Sequence, residues 1–451
     1  MAAARLCHHS ILWEGDTLPL ATAAQMLDGK VIYRDIWFDK PPLLPAVYLA
    51  WGARAGWPLR LGGAAYALLA CWIAWRFARD LWTEREGLWA AGLLAFYLTF
   101  DFPSAVIPVA SDLLMLAPDV AAVWMAWKRR PLWSGVLAGV AFWINPKGVF
   151  VAVACALWDP AGVGWMAAGF AAVSGAAAAW LWGAGAWAAY VEEVWRWGRL
   201  YAGSPFVESP WRNGAVRTLN WMGFHVAAVA AAGWFLWKRE RRWPVWVGWT
   251  AIAAVGVGAG LRFFPRYYFL LLPVVVLMAA RGFALLGRRR ELVALLLLIP
   301  ATRFGPAYLA AWRNAEWRDT GMDRDSRAAA AVVRKLAKPG DTLFVWGYRP
   351  EMYVYTGLPA ATMYLDSQPL TGVPADRHLT QSEPVETEAA SRRRIELSHT
   401  RPVFVLDGLG LYNPQLAMTS YPELRGWLNN YREVGTSGQT VIYRRRTDAV
   451  Y

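Results

Sequence analysis

Before residue 312 the chain passes through one apolar run after another, each about 20 residues long, and nothing else in it restricts the fold so strongly. A run of that length crosses the hydrocarbon of a bilayer as a helix. Inside lipid only helices or closed barrels satisfy every backbone N–H and C=O. The 451 residues are 57% hydrophobic and only 18% charged, which is unlike a soluble domain of this size. The runs predict spans at 60–79, 87–103, 106–127, 132–145, 147–158, 161–182, 218–237, 243–260, 266–285 and 291–311. The fold class is therefore mostly α, a polytopic membrane helical bundle of about 10 spans. Of the 30 Trp, Trp82, Trp127, Trp133, Trp182, Trp187, Trp237 and Trp243 end apolar runs, as interface belts require, while Trp124 and Trp180 sit mid-run.

Net charge is +13. In a membrane protein such an excess points to cytoplasmic Lys/Arg and anionic lipid rather than to nucleic acid, and no nucleic-acid motif is present. Four clusters set the orientation: Arg76/Arg79/Arg85, Lys128-Arg129-Arg130, Lys238-Arg239-Arg241-Arg242 and Arg288-Arg289-Arg290. If all four are cytoplasmic, the spans between them alternate consistently. Residues 1–59, 183–217, 260–266 and everything after 312 then lie outside. An external N-terminus with no signal core or span in residues 1–12 either translocates unaided or follows a further helix upstream of Met1, and the second is the favoured expectation. Cys7, Cys71 and Cys155 have no metal spacing and form no disulfide framework.

Three domains follow: 1–59, an extracytoplasmic acidic loop with an interfacial helix at about 43–57; 60–312, the transmembrane bundle; and 313–451, a small extracytoplasmic α/β domain. In the last, helices are predicted at Arg324–Ala337 and Tyr421–Tyr431, and strands at Asp341–Gly347, Pro402–Gly408 and Thr440–Arg444. Thr371–Arg394 reads as a charged loop. The aromatic, basic segment 183–217 reads as an amphipathic helix on the membrane surface, either a cover for a cavity or an anchor.

Residues Trp13–Pro42 gather Glu14, Asp16, Asp28, Arg34, Asp35, Asp39 and Lys40 beside this apolar body. Ionised groups do not enter hydrocarbon cheaply, so the loop belongs at the membrane surface. Acids with a Lys ahead of two prolines suit an anionic, lipid-borne substrate. Together with INPKG (Ile144–Gly148), RFFPRYYFLLLP (Arg262–Pro273) and FVWGYRPEMYVYTG (Phe344–Gly357), the pieces EGD and DGKVIYRDIWFDKPPL resemble the GT-C glycosyltransferases. The nearest types are bacterial members of the protein-mannosyltransferase and aminoarabinose-transferase kind.

The resemblance covers nearly the whole chain. It implies a polyprenyl-phosphate sugar as donor, an extracytoplasmic acceptor, and a catalytic acid in the first loop. Glycosyl transfer to a hydroxyl needs a base and charge stabilisation on the leaving phosphate. Asp16 is the first candidate and Glu14 the second; two residues apart, they share a face in extended chain. Asp16 equally suits the cap of a helix over about 18–28. The family's second acid maps to Asp112, and its phosphate-contacting lysine to Lys40. Lys147, Arg262 and Arg266 are further donors for the phosphate. Arg34, Asp35 and Asp39 are structural, as ion pairs within the loop. No cofactor is specified. A divalent metal at Asp112 is an open option, since oxygen ligands alone identify no ion. Rival readings are a transporter of a lipid-linked or anionic substrate, which broken helices would suit, and a non-catalytic membrane scaffold.

Overall fold

The computed structural model describes residues 1–204, 207–313 and 317–446. Its larger part is a bundle of apolar helices, and its smaller part a four-stranded sheet with helices. Three helices are long and apolar enough to cross a membrane alone: Trp57–Leu81, Pro160–Gly183 and Gly287–Trp312. In the last two, only 17% of the most apolar window is buried within the protein, so their remaining surface is made for lipid.

The other expected spans are shorter or broken. Segment 218–237 is broken into two helices, Pro210–Phe224 and Val226–Trp237, bent by 90° at His225. The expected 266–285 span opens as a tight 3-10 turn, Pro265–Leu270, before the helix Leu272–Leu285. The pair Pro131–Ile144 and Gly148–Trp158 turns at Asn145–Lys147, so Lys147 belongs to a loop outside the spanning helices rather than to a span.

Ion pairs gather the basic clusters at one end. Lys128 meets Asp80 at 2.6 Å, beside Arg79, and Arg281 joins Glu86 (2.7 Å) to Glu240 (3.4 Å). Arg289 lies over the ring of Trp234. The acidic first segment and the sheet domain sit at the opposite end.

Close helix packing depends on glycine. A Cβ on Gly135 would lie 1.9 Å from the carbonyl oxygen of Met166, and one on Gly139 3.0 Å from Val173 Cβ. Gly135→Ala is therefore expected to cost about 1–3 kcal/mol by forcing helices apart. Gly175→Ala, on the same neighbouring helix but in open space, should cost nothing. Thermal unfolding in detergent compares the two.

The small sheet has strand order β1 (Leu343–Trp346), β2 (Phe404–Asp407), β4 (Thr440–Arg445), β3 (Tyr431–Ser437). β1 and β2 run parallel, with Val345 opposite Leu406, and both are fully buried, as parallel strands are. β3 was not anticipated: the helix expected over Tyr421–Tyr431 stops at Leu428. The chain then forms a hairpin whose turn contains Gly438 at φ +55. The loop expected over 371–394 ends early, at a helix Glu388–Ser398 capped by the Thr387 hydroxyl.

The first segment is clamped between bundle and sheet domain. Leu12 N–H donates to Asp323 at 2.9 Å, Ala360 N–H to Gln25 at 2.9 Å, Trp37 N–H to Met363 O at 2.8 Å, and Phe38 N–H to Glu193 at 2.9 Å. One hydrophobic core joins Leu18, Leu20 and Tyr48 to Leu343, Val345 and Leu406. These contacts hold the acidic residues still.

Candidate active site

Helix formation begins earlier than expected, at Glu14, and runs to Leu27. Both acids therefore lie in its first turn, where negative charge is favoured by the helix dipole. In a helix two residues are about 200° apart, so Glu14 and Asp16 face opposite ways. Gly15 between them lets the helix press on the chain at 108–110: a Cβ there would lie 2.9 Å from Ala110 Cβ.

Asp16 does not face a cavity, contrary to its expected role as base. Its side chain is fully buried against Arg60 at 2.8 Å, also fully buried. It also accepts the Val109 N–H at 2.7 Å. Arg60 in turn donates to the carbonyl of Ile11 at 2.7 Å. A carboxylate enclosed and paired in this way ties the helix start to the bundle and presents no oxygen to a substrate.

Glu14 is the acid that looks outward, with a side chain 60% exposed. It lines two adjoining cavities of about 410 and 490 Å³, which also share Phe264, Arg266 and Tyr348 as walls. The smaller lobe carries Lys40, Lys147, Arg199 and Arg266 beside apolar Leu18, Leu44, Val194 and Trp195. The larger is lined largely by the sheet domain, including Met322, Arg349 and Leu409.

Asp112, in the first turn of the helix Ser111–Trp127, faces the smaller lobe. Asn145 Nδ2 donates to it at 3.3 Å, and Arg266 Nε stands 3.8 Å away. The same guanidinium is 3.9 Å from Glu14. The Lys147 ammonium lies 3.0 Å from the centre of the Tyr267 ring and has no hydrogen-bond partner among the described residues. Burial pushes its pKa down to about 7, against the opposing pull of Asp112. Lys40 also lines this lobe, paired with Asp39 at 2.7 Å. Arg34 pairs with Asp35 at 2.8 Å, and Asp35 accepts the Val31 N–H at 2.8 Å, which pins the loop.

Arg262, expected at the phosphate, lines neither lobe. It is buried, stacked 3.6 Å over the Tyr201 ring and donating to the carbonyls of Tyr201 and Ser204 at 2.8 and 2.7 Å. Its work is to fasten the helix Trp197–Gly203 over the smaller lobe. Leu261 and Phe263 on either side hold positive φ (55° and 50°), a strained turn that these contacts sustain.

Tyr267 was visible beside Arg266 as an RY pair like that of the family, but the sequence alone did not single out Tyr201, Tyr348 or Gln368; all four line the smaller lobe. Tyr267 and Tyr348 lie inside the motif pieces quoted above, which was the available signal. Tyr348 arrives from the sheet domain because Gly347, at φ +106, turns the chain sharply at the end of β1. Burial and then the carboxylates of Glu14, Asp39 and Asp366 raise the Tyr348 phenol well above its ordinary value, so it stays a neutral hydroxyl.

A divalent ion does not fit this donor set. Among the described residues no group of three or more His, Cys, Asp or Glu gathers anywhere. The neighbours of Asp112 are donors and cations, where Mg²⁺ or Ca²⁺ would need six or more oxygens.

The fold, a polytopic membrane helical bundle with a small α/β domain at its C-terminal end, is shared with solved membrane proteins of GT-C fold. Among solved structures, the chain is similar to ArnT from Cupriavidus metallidurans bound to undecaprenyl phosphate, at TM-score 0.59 and 14% identity, covering 99% of this chain and 96% of that one. The apo form of the same protein gives TM-score 0.57 at 13% identity, over 97% and 95% of the two chains. The archaeal oligosaccharyltransferase AglB from Archaeoglobus fulgidus, in complex with an inhibitory peptide and a dolichol-phosphate, gives TM-score 0.52 at 12% identity, over 100% of this chain and 74% of that one. No family model matches the sequence, and no curated protein matches it.

Proposed function

We propose that this chain is an integral membrane glycosyltransferase that moves a sugar, hexosyl or pentosyl, from a polyprenyl-phosphate donor to a hydroxyl of an extracytoplasmic acceptor, with inversion. The observation that carries this reading is the position of Glu14 on the boundary between a cationic, apolar lobe and a second lobe walled by the sheet domain. The solved structures of like fold include one bound to undecaprenyl phosphate and one to a dolichol-phosphate, which supports a lipid-phosphate donor here.

In this reading the donor phosphate lies among Lys40, Lys147 and Arg266, and the lipid tail runs along Leu44, Val194 and Trp195. The acceptor hydroxyl enters through the larger lobe. Its oxygen attacks the anomeric carbon as its proton passes to the Glu14 carboxylate. The bond from the anomeric carbon to the phosphate oxygen breaks, and the electron pair leaves with the polyprenyl phosphate. The guanidinium and ammonium groups stabilise that developing charge. Asp112, held by Asn145, positions Arg266 and Lys147. Basic clusters at the opposite end of the bundle support a cytoplasmic location for that end. The site then lies on the outer side of the plasma (inner) membrane.

Titration with undecaprenyl phosphate, followed by tryptophan fluorescence, tests the phosphate site. Lys147 must be charged to pair with the anion. Below pH 7 it already is. Above pH 7 binding must first take up a proton, so affinity falls as pH rises. The ratio of Kd in the wild type to Kd in Lys147→Met should rise by about fivefold from pH 7 to pH 8, because half of the amine is already neutral at its pKa of about 7. The phosphate's own ionisation cancels in that ratio. A ratio independent of pH, together with sugar transfer that survives Lys40→Ala/Lys147→Met, would remove the donor site from this lobe.

A further inference from the structure

Two carboxylates facing one cavity are the usual beginning of a cation site, and Glu14 and Asp112 are such a pair. We propose that Arg266 is the built-in counter-ion of this pair and stands where a divalent metal would otherwise bind, so that the chain takes its lipid phosphate without a metal ion. The inference rests on the reading of the smaller lobe as a lipid-phosphate site.

One guanidinium reaches both acids, 3.9 Å from Glu14 through Nη2 and 3.8 Å from Asp112 through Nε. Its planar, delocalised charge suits two separated carboxylates better than a compact ammonium would. The remaining oxygens nearby are engaged. Asn145 turns its NH₂ toward Asp112, and its carbonyl oxygen accepts the Lys147 N–H at 3.1 Å. The hydroxyls of Tyr201 and Tyr267 lie 3.3 Å apart and bond each other. The Tyr48 hydroxyl is spent on the Val109 carbonyl at 2.7 Å. Two carboxylates completed by water would make a shell for a hard divalent ion; the charge of Arg266 set between them, with Lys147 in the same lobe, keeps it out. The positions that would supply a metal site thus belong to an organic cation fixed to the Pro265–Leu270 turn.

The test uses full-length protein in detergent and Mn²⁺ as the probe, read by electron paramagnetic resonance. Wild-type protein should bind no stoichiometric Mn²⁺ at tens of micromolar. Arg266→Ala should gain one Mn²⁺ site, and Arg266→Ala/Glu14→Gln should lose it again. Arg266→Lys, which keeps a charge, should stay without Mn²⁺. In the wild type, EDTA should leave the Kd for undecaprenyl phosphate within twofold. Stoichiometric Mn²⁺ in the wild type, or a tenfold weakening of lipid phosphate by EDTA, overturns the inference, as does a folded Arg266→Ala protein that gains no Mn²⁺. The wild-type measurements stand even if Arg266→Ala does not fold. If undecaprenyl phosphate binds under neither condition, the functional reading falls, and the Mn²⁺ result still decides the role of Arg266.

Discussion

Replacing Glu14 with Gln lowers sugar transfer by about 10²- to 10⁴-fold, the usual worth of a general base, and leaves unfolding stability within about 0.5 kcal/mol. The asymmetry follows from position. The Glu14 side chain is 60% exposed and its one ion-pair contact among the described residues, Arg266, is at 3.9 Å. Little of the fold leans on it. Gln keeps the shape and the hydrogen-bonding oxygen but accepts no proton, so only the step that moves a proton suffers. The measurement is transfer of radiolabelled sugar from lipid carrier to a cell-envelope fraction, alongside thermal unfolding of the purified variant. Unchanged transfer in a stable Glu14→Gln protein sinks the assignment of the base.

Asp16→Ala should do the reverse, costing about 3–5 kcal/mol of stability and losing activity only as folded protein is lost. That is the range for breaking a buried ion pair by removing one partner. Arg60 would keep its charge with its side chain fully buried, and the Val109 N–H would lose its acceptor. The pair is an uncommon case in which both side chains are completely enclosed, so solvent screens neither. Removing both charges together, as Asp16→Leu/Arg60→Met, should restore much of the stability, because two apolar groups leave no orphaned ion. Unfolding measurements on the single and double variants decide this. If Asp16→Asn folds as stably as the wild type yet transfers no sugar, Asp16 belongs in the chemistry after all.

The contrast between these neighbouring acids marks how far the sequence could be read. Glu14 and Asp16 were both visible as acids beside a membrane, and so was the pattern that placed them with Lys40, Asp112, Lys147 and Arg266. Which of the two reached the cavity depended on whether residues 14–16 were extended or helical. The local sequence suited either, because Asp16 is also a good helix cap. Arg262 and Arg266 pose the same problem four residues apart. Both are cations in one aromatic turn, but the path through Leu261 and Phe263, both with positive φ, buries the first under Tyr201 and leaves the second in the cavity. The hairpin strand Tyr431–Ser437 was missed because it is largely exposed and lacks an apolar run; only pairing with β4 makes it a strand.

Apolar run length, charge clusters and the acidic first segment specified by themselves a helical membrane protein with a site at one end. These properties are written locally, since hydrocarbon excludes charge whatever the neighbouring helices do. The sharing of one guanidinium by Glu14 and Asp112, 98 residues apart by their numbers, was settled only in three dimensions. So was the reach of Tyr348 from the sheet domain into the same cavity. Such contacts depend on helix rotation and on the meeting of distant segments, and a single-residue change in helix phase turns a side chain by about 100° from cavity to core.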